Sequence, residues 1–173
     1  LQSERPIPLQ EKVKLINLLS ETGIRVIEVT SFVHPKAVPQ LADAEEVIGA
    51  IQKAPGVTYR ALALNPKGVE RAIQSGVDQI KVAISATDTH SQRNANRTVQ
   101  QAMDSIYQMV TLATDAGVPV AGSIAVAFWC PFDGSVPMQR LTEICAEYER
   151  MKMMEVSLAD TGGMANPRQV YET

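Results

Sequence analysis

A chain of 173 residues with 45% apolar and 20% charged side chains can bury a core of its own and has the balance of an ordinary globular protein. Sixteen basic against nineteen acidic side chains leave a net charge of −3, with no basic stripe interleaved with aromatics, which argues against nucleic acid as a partner. No apolar run approaches the ~20 residues of a membrane helix, and the opening LQSERPIPLQ resembles neither a signal nor a transit peptide, so no membrane contact and a cytoplasmic, bacterial-type location with Cys130 and Cys145 reduced are expected.

From Leu9 to Thr22 the apolar residues Leu9, Val13, Ile16 and Leu19 recur on one face, with Glu11, Lys12 and Lys14 largely on the other; the spacing predicts an amphipathic helix. Gly23 then precedes the β-branched run IRVIEV. The same punctuation returns with Gly56 before VTYRALAL, Gly76 before VDQIKVAI and Gly117 before VPVAGSIAV. A glycine at the end of a helix takes the left-handed conformation at little steric cost, so each is a physical stop signal. A fifth run, MMEVSLAD, has the same texture without the glycine. Asn65-Pro66 and Asn166-Pro167 each put a capping asparagine before a proline suited to a first helical turn. Residues 98–116 open with Thr98 and Gln101 in capping-box spacing and line Ala102, Met103, Ile106, Val110 and Ala113 along one stripe.

This alternation of helix and buried strand implies a parallel sheet with right-handed crossovers, in a single domain over residues 1–173 with no linker. Barrel and open doubly wound sheet both satisfy it. No strand is followed by G-x-G-x-x-G or by a phosphate-binding P-loop, which favours an α/β (β/α)₈ TIM barrel.

Chemistry is expected where the strands end. The first strand closes as Glu28-Val29-Thr30-Ser31 and the last as Ser157-Leu158-Ala159-Asp160-Thr161, so each run pairs a hydroxyl with a carboxylate three residues away. Two buried carboxylates at one mouth would suit a divalent metal or acid–base work; the plainer alternative is that each accepts backbone N–H bonds or pairs with an arginine. Other residues have plainer readings. Cys145 falls on a core stripe with Leu141 and Tyr148, His34 in a loop, and Lys81 in mid-strand, held by a neighbouring carboxylate. Met151, Met153 and Met154 read as packing, Glu143, Glu147, Glu149 and Arg150 as a solvated helix face, and Cys130 as a strand-end thiol without an assigned role.

The segment Thr30-Ser31-Phe32-Val33-His34-Pro35-Lys36-Ala37-Val38-Pro39-Gln40 closely resembles the loop after the second strand of 3-hydroxy-3-methylglutaryl-CoA lyases, E-x-T-S-F-V-x-P-K-x-V-P-Q. Leu64-Asn65-x-Lys67-Gly68, Asn94-x-Asn96, Cys130-Pro131-Phe132-Asp133-Gly134 and Ser157-Leu158-x-Asp160-Thr161 resemble that family's next four loop motifs, in order. The resemblance implies a TIM barrel of the metallolyase superfamily. It also implies cleavage of 3-hydroxy-3-methylglutaryl-CoA to acetyl-CoA and acetoacetate with Mg²⁺ or Mn²⁺, an acyl-CoA substrate, and a homo-oligomer. Carried over residue by residue, Glu28 matches an active-site glutamate near the metal and Asp160 an essential acidic residue. Ser31 and Ser157 match serines lining the substrate site, Thr87 stands where relatives often have serine, and Asn94 belongs to the CoA-side loop.

Departures accompany the matches. Leu1-Gln2 resembles only the last letters of the family's R-D-G-L-Q, and the metal-binding H-x-H pair and the glycine-rich loop with its catalytic cysteine are absent from this sequence. The expectation is therefore a fragment of about five of eight β/α units, without a direct metal ligand of its own and inactive alone. The alternatives are a related acyl-CoA lyase, a Claisen-type synthase of the same superfamily, or a non-catalytic truncated barrel binding acyl-CoA or a partner.

Overall fold

A computed structural model of the chain describes residues 4–173; Leu1 and Gln2, matched above to the end of R-D-G-L-Q, lie outside the described residues. The chain groups into two compact units, Leu1–Lys81 with Thr111–Pro119 and Val82–Val110 with Val120–Thr173.

The first unit contains α1 (Leu9–Ser20), β1 (Val26–Phe32), a 3₁₀ turn (Pro39–Leu41), α2 (Ala44–Ala50), β2 (Thr58–Ala63), α3 (Pro66–Gln74) and the start of β3 (Gln79–Ser85). Its strands are parallel and neighbour one another in the order β1-β2-β3. Tyr59, Ala61 and Ala63 of β2 are fully buried, and the Tyr59 hydroxyl donates to Ser20 Oγ of α1 at 2.8 Å, so this face of the sheet carries the helices. Arg60 and Leu62 point the other way, as strand alternation requires. Gly23, Gly56, Gly76 and Gly117 all have φ between 71° and 84°, the left-handed stop that their positions predict.

Lys12 corrects the reading of α1. It is not on a solvated face but 6% exposed, with Nζ 2.7 Å from Asp43 Oδ1 and 2.6 Å from the Gln40 carbonyl oxygen. The buried stripe of α1 is Lys12, Ile16 and Ser20, which leaves Leu15 and Leu18 exposed.

In the second unit the end of β3 is followed by α4 (Asp88–Ala95), the N-terminal part of α5 (Val99–Asp115), β4 (Val120–Ala125), the hairpin β5 (Trp129–Cys130) and β6 (Gly134–Ser135), α6 (Met138–Arg150), β7 (Glu155–Leu158) and α7 (Pro167–Glu172). The sheet order here is β3-β4-β7, with β4 and β7 parallel. The hairpin and α4 interrupt the alternation read from the sequence. Lys152, at φ 56°, supplies the left-handed stop before β7 that glycine supplies elsewhere. The Thr98–Gln101 capping box forms in both directions, at 2.8 and 3.1 Å. Asn65 and Asn166 each accept a backbone N–H of the helix they precede. Cys145 is only half-buried; Leu141, Ile144 and Tyr148 form the core stripe of α6. Gly122 of β4 packs against Tyr148 so closely that a Cβ there would overlap its ring.

Candidate functional site

The first unit's polar residues gather on the helix-free face of its sheet, and a bulge puts them there. Glu28 pairs with Arg60 but Thr30 pairs with Ala61, so Val29 is an extra residue in β1. In a regular ladder that kept Val29 in the alternation, Glu28 and Thr30 would share a face. With the bulge, Glu28 falls in one row with Arg60 and Gln79, and Ser31 in the next row on the same face with Leu62 and Lys81. The hydroxyl and carboxylate three residues apart are thus brought onto the same side.

Glu28 is not the buried carboxylate the apolar run suggested. Its side chain is 41% exposed, and its Oε2 lies 3.4 Å from the Lys81 ammonium, so the partner is a lysine, not an arginine. Arg60 donates to Gln79 beneath this pair. Ser31 is 7% exposed, and its Oγ has no hydrogen-bond partner among the described residues. A buried hydroxyl left unsatisfied costs of order 1–3 kcal/mol, which makes it a donor ready for an incoming oxygen.

The second unit's cluster forms where β3 meets α4. Thr87 accepts the His90 backbone N–H at 3.3 Å as the cap of α4, and donates its own proton to Cys130 Sγ at 3.2 Å. Cys130 in turn donates to Asp133 Oδ2 at 3.3 Å, and Thr89 donates to Asp133 Oδ1 at 2.8 Å. Hydrogen bonding, from Thr89 first, holds the Asp133 carboxyl below its ordinary range. Ser85, the last residue of β3, lies 2.8 Å from His90 Nδ1, and burial pushes the His90 imidazole below its usual value. The Arg93 guanidinium stacks 4.3 Å from the centre of the Phe132 ring. Sequence reasoning passed over Ser85 and His90; the available signal was a serine closing a strand five residues ahead of the chain's second histidine.

Of the remaining expected residues, Ser157 donates to the Gly122 carbonyl at 3.3 Å from β7, on the face that it shares with Ser123. Asp160 accepts the backbone N–H groups of Met164 and Ala165, at 3.1 and 2.9 Å, which is the plainer of the two roles open to it. Next to it Thr161 Oγ1 takes the N–H of Val126, a β-branched residue held at φ 50°. Asn94 stands exposed near the end of α4. Among the described residues no three His, Cys, Asp or Glu side chains stand together as a metal cage.

Comparison with known proteins supplies the family. The HMGL-like family model matches residues 2–173. The chain is 39% identical over 168 residues to the cytoplasmic 3-hydroxy-3-methylglutaryl-CoA lyase of Rattus norvegicus, covering 96% of this chain and 49% of that protein. It is 41% identical over 165 residues to the 3-hydroxy-3-isohexenylglutaryl-CoA/hydroxy-methylglutaryl-CoA lyase of Pseudomonas aeruginosa, covering 95% and 55%. The chain thus spans about half the length of the curated relatives it matches. An HMG-CoA lyase from Acinetobacter baumannii, solved with coenzyme A and 3-methylmalate, superimposes with a TM-score of 0.95 at 35% identity over 99% of this chain and 56% of that one. The Brucella melitensis enzyme gives 0.94 at 38% identity over 98% and 60%. The fold is that of these TIM barrels, of which the chain covers rather more than half, and the chain belongs to the HMGL-like family.

Proposed function

We propose that this chain is the central part of a single catalytic domain that cleaves 3-hydroxy-3-methylglutaryl-CoA to acetyl-CoA and acetoacetate. The observation that carries the reading is the unspent Ser31 hydroxyl beside Glu28, on one sheet face, at the loop whose sequence most closely resembles the lyases. The reaction is a retro-Claisen cleavage. A base takes the proton of the tertiary hydroxyl, the C–C bond breaks, and its electron pair enters the thioester enolate, which is protonated to the acetyl group.

Glu28 serves as the charged group at the reacting centre, with Lys81 holding its position. Ser31 and Ser157 offer hydroxyls to substrate oxygens, and Thr87 and Asn94 shape the loop on the CoA side. Asp160 has its carboxylate directed by two backbone N–H groups, as an acidic residue of fixed orientation needs. The Mg²⁺ or Mn²⁺ that the resemblance implies does not fit a donor set within the described residues. Homo-oligomerisation and a cytoplasmic location remain part of the proposal; among the described residues no helix is long and apolar enough to cross a membrane. A second reading, a related lyase accepting a larger 3-substituent, is favoured by the double name of the Pseudomonas relative.

The test is acetoacetate release from hydroxymethylglutaryl-CoA by the full-length protein, with Mg²⁺ and then with EDTA. Metal-dependent release supports the lyase. Turnover only of a 3-isohexenyl analogue supports the second reading, and inertness towards both removes the catalytic claim.

A further inference from the structure

The Asn65-x-Lys67-Gly68 motif carries no part of the mechanism above, yet it stands against the strand end that does. Asn65 Oδ1 accepts the Gly68 N–H at 2.8 Å and so starts α3 beside β1. A Cβ on Gly68 would lie 2.5 Å from the carbonyl oxygen of Phe32, the last residue of β1, so only glycine lets α3 stand this close. One turn further along the helix, Arg71 reaches the same strand end. Its Nη1 donates to the Val33 carbonyl oxygen at 3.2 Å, and its guanidinium carbon lies 5.4 Å from the centre of the buried Phe32 ring. The other edge of the guanidinium is a fork on Glu45 of α2, Nε to Oε1 at 2.6 Å and Nη2 to Oε2 at 2.9 Å. Hydrogen bonding from Arg71 holds the Glu45 carboxyl below its ordinary range. A planar group tied along both edges has one orientation, so it fixes the peptide that follows Phe32. Ser31 comes just before Phe32, and its buried hydroxyl has no partner of its own to hold it in place.

We infer that Arg71 is a positioning residue for the lyase reaction: braced on Glu45, it fixes the Phe32–Val33 end of β1 and with it the Ser31 hydroxyl that meets a substrate oxygen. The inference rests on the lyase reading. A hydroxyl without a bond to its own protein is aimed by the backbone alone, and a misplacement of ~1 Å can cost ~10² in rate. Arg71 acts through Ser31 and makes no bond of its own to the substrate. Gly68 serves the same end from the first turn of α3, by letting the helix lie directly on the Phe32 carbonyl.

The test is a double-mutant cycle on acetoacetate release by the full-length protein. Ser31→Ala and Arg71→Met should each lower kcat/KM by ~10-fold or more, with the loss divided between kcat and KM in the same proportion. The combined variant should fall no more than about threefold below Ser31→Ala, because the second change has no hydroxyl left to misplace. Arg71→Lys keeps the charge and a stem over Phe32 but not the planar fork, and should lose at least about threefold. Run through the same cycle, it gives the answer where Arg71→Met fails to fold. A merely structural arginine would lower the melting temperature and leave the kcat and KM of the folded enzyme unmoved. With the wild type active, either Arg71 variant at wild-type kcat/KM overturns the assignment and leaves the lyase standing. So do losses that multiply in the combined variant, or Ser31→Ala without effect. Wild-type protein without lyase activity sinks the reading beneath it instead.

Discussion

Glu28→Gln keeps the shape of the side chain and removes its charge, so it separates what the carboxylate does for the fold from what it does for the reaction. At 3.4 Å from Lys81 a unit ion pair is worth ~1 kcal/mol in water and ~5 kcal/mol at an effective dielectric of 20. With Glu28 41% exposed the lower end applies, and exposed pairs measure about 0–1 kcal/mol. The melting temperature should therefore fall by no more than about 2–4 °C, the response of a domain of this size to ~1 kcal/mol. Turnover of hydroxymethylglutaryl-CoA should fall by ~10² or more, about 2.7 kcal/mol of transition-state stabilisation. Calorimetry and the acetoacetate assay, run on one preparation of the full-length protein, read the two effects apart. Unchanged turnover would remove Glu28 from the mechanism. A collapse in melting temperature matching the loss of activity would make it a structural residue.

Three further outcomes concern the fold and its pH response. Asp43→Ala leaves the Lys12 ammonium buried with only the Gln40 carbonyl, and should cost ~3 kcal/mol in denaturant unfolding. Lys12→Met should cost less than half of that, since Asp43 is the better hydrated partner; equal costs would contradict the burial argument. Gly122→Ala drives a methyl into the Tyr148 ring, which is fully buried and tied by its hydroxyl to the Ser123 carbonyl, and should lose about 1–3 kcal/mol. A neutral result there would mean that α6 shifts freely. Because burial lowers the His90 pKa below the ordinary ~6.5, the unfolded chain binds more protons than the folded one as pH falls through that range. The wild type should therefore lose stability between about pH 7 and 5 with a slope that His90→Gln lacks, and identical slopes would discard the claim.

The helix stops, the caps and the parallel strands were legible because each rests on a few neighbouring residues. Glycine at Gly23, Gly56, Gly76 and Gly117 and asparagine before Pro66 and Pro167 act within one turn of their own position. Lys152 escaped notice because a lysine rarely fills a left-handed stop. The α4 segment DTHSQRNA has almost no apolar residues, so no periodicity announces it; its Thr87 cap and the contact of Arg93 with Phe132 hold it in place. Lys12 looked solvated because its partner Asp43 is 31 residues away. The facing of Glu28 and Ser31 lay beyond local pattern for a different reason. Strand parity can be counted along a chain, but an extra residue is visible only against the neighbouring strand.

The bulge at Val29 has a consequence for how this stretch can change by descent. Point substitutions act on single positions, and loss of the surplus residue would leave a regular ladder with Ser31 still on the Glu28 face, but ironing out the bulge with Val29 retained would turn the outer half of β1 over. Ser31 would then point into the helix layer and Thr30 out of it. Residues 28 and 31 are thus held in phase by the bulge itself: at a spacing of three, ordinary alternation would put them on opposite faces.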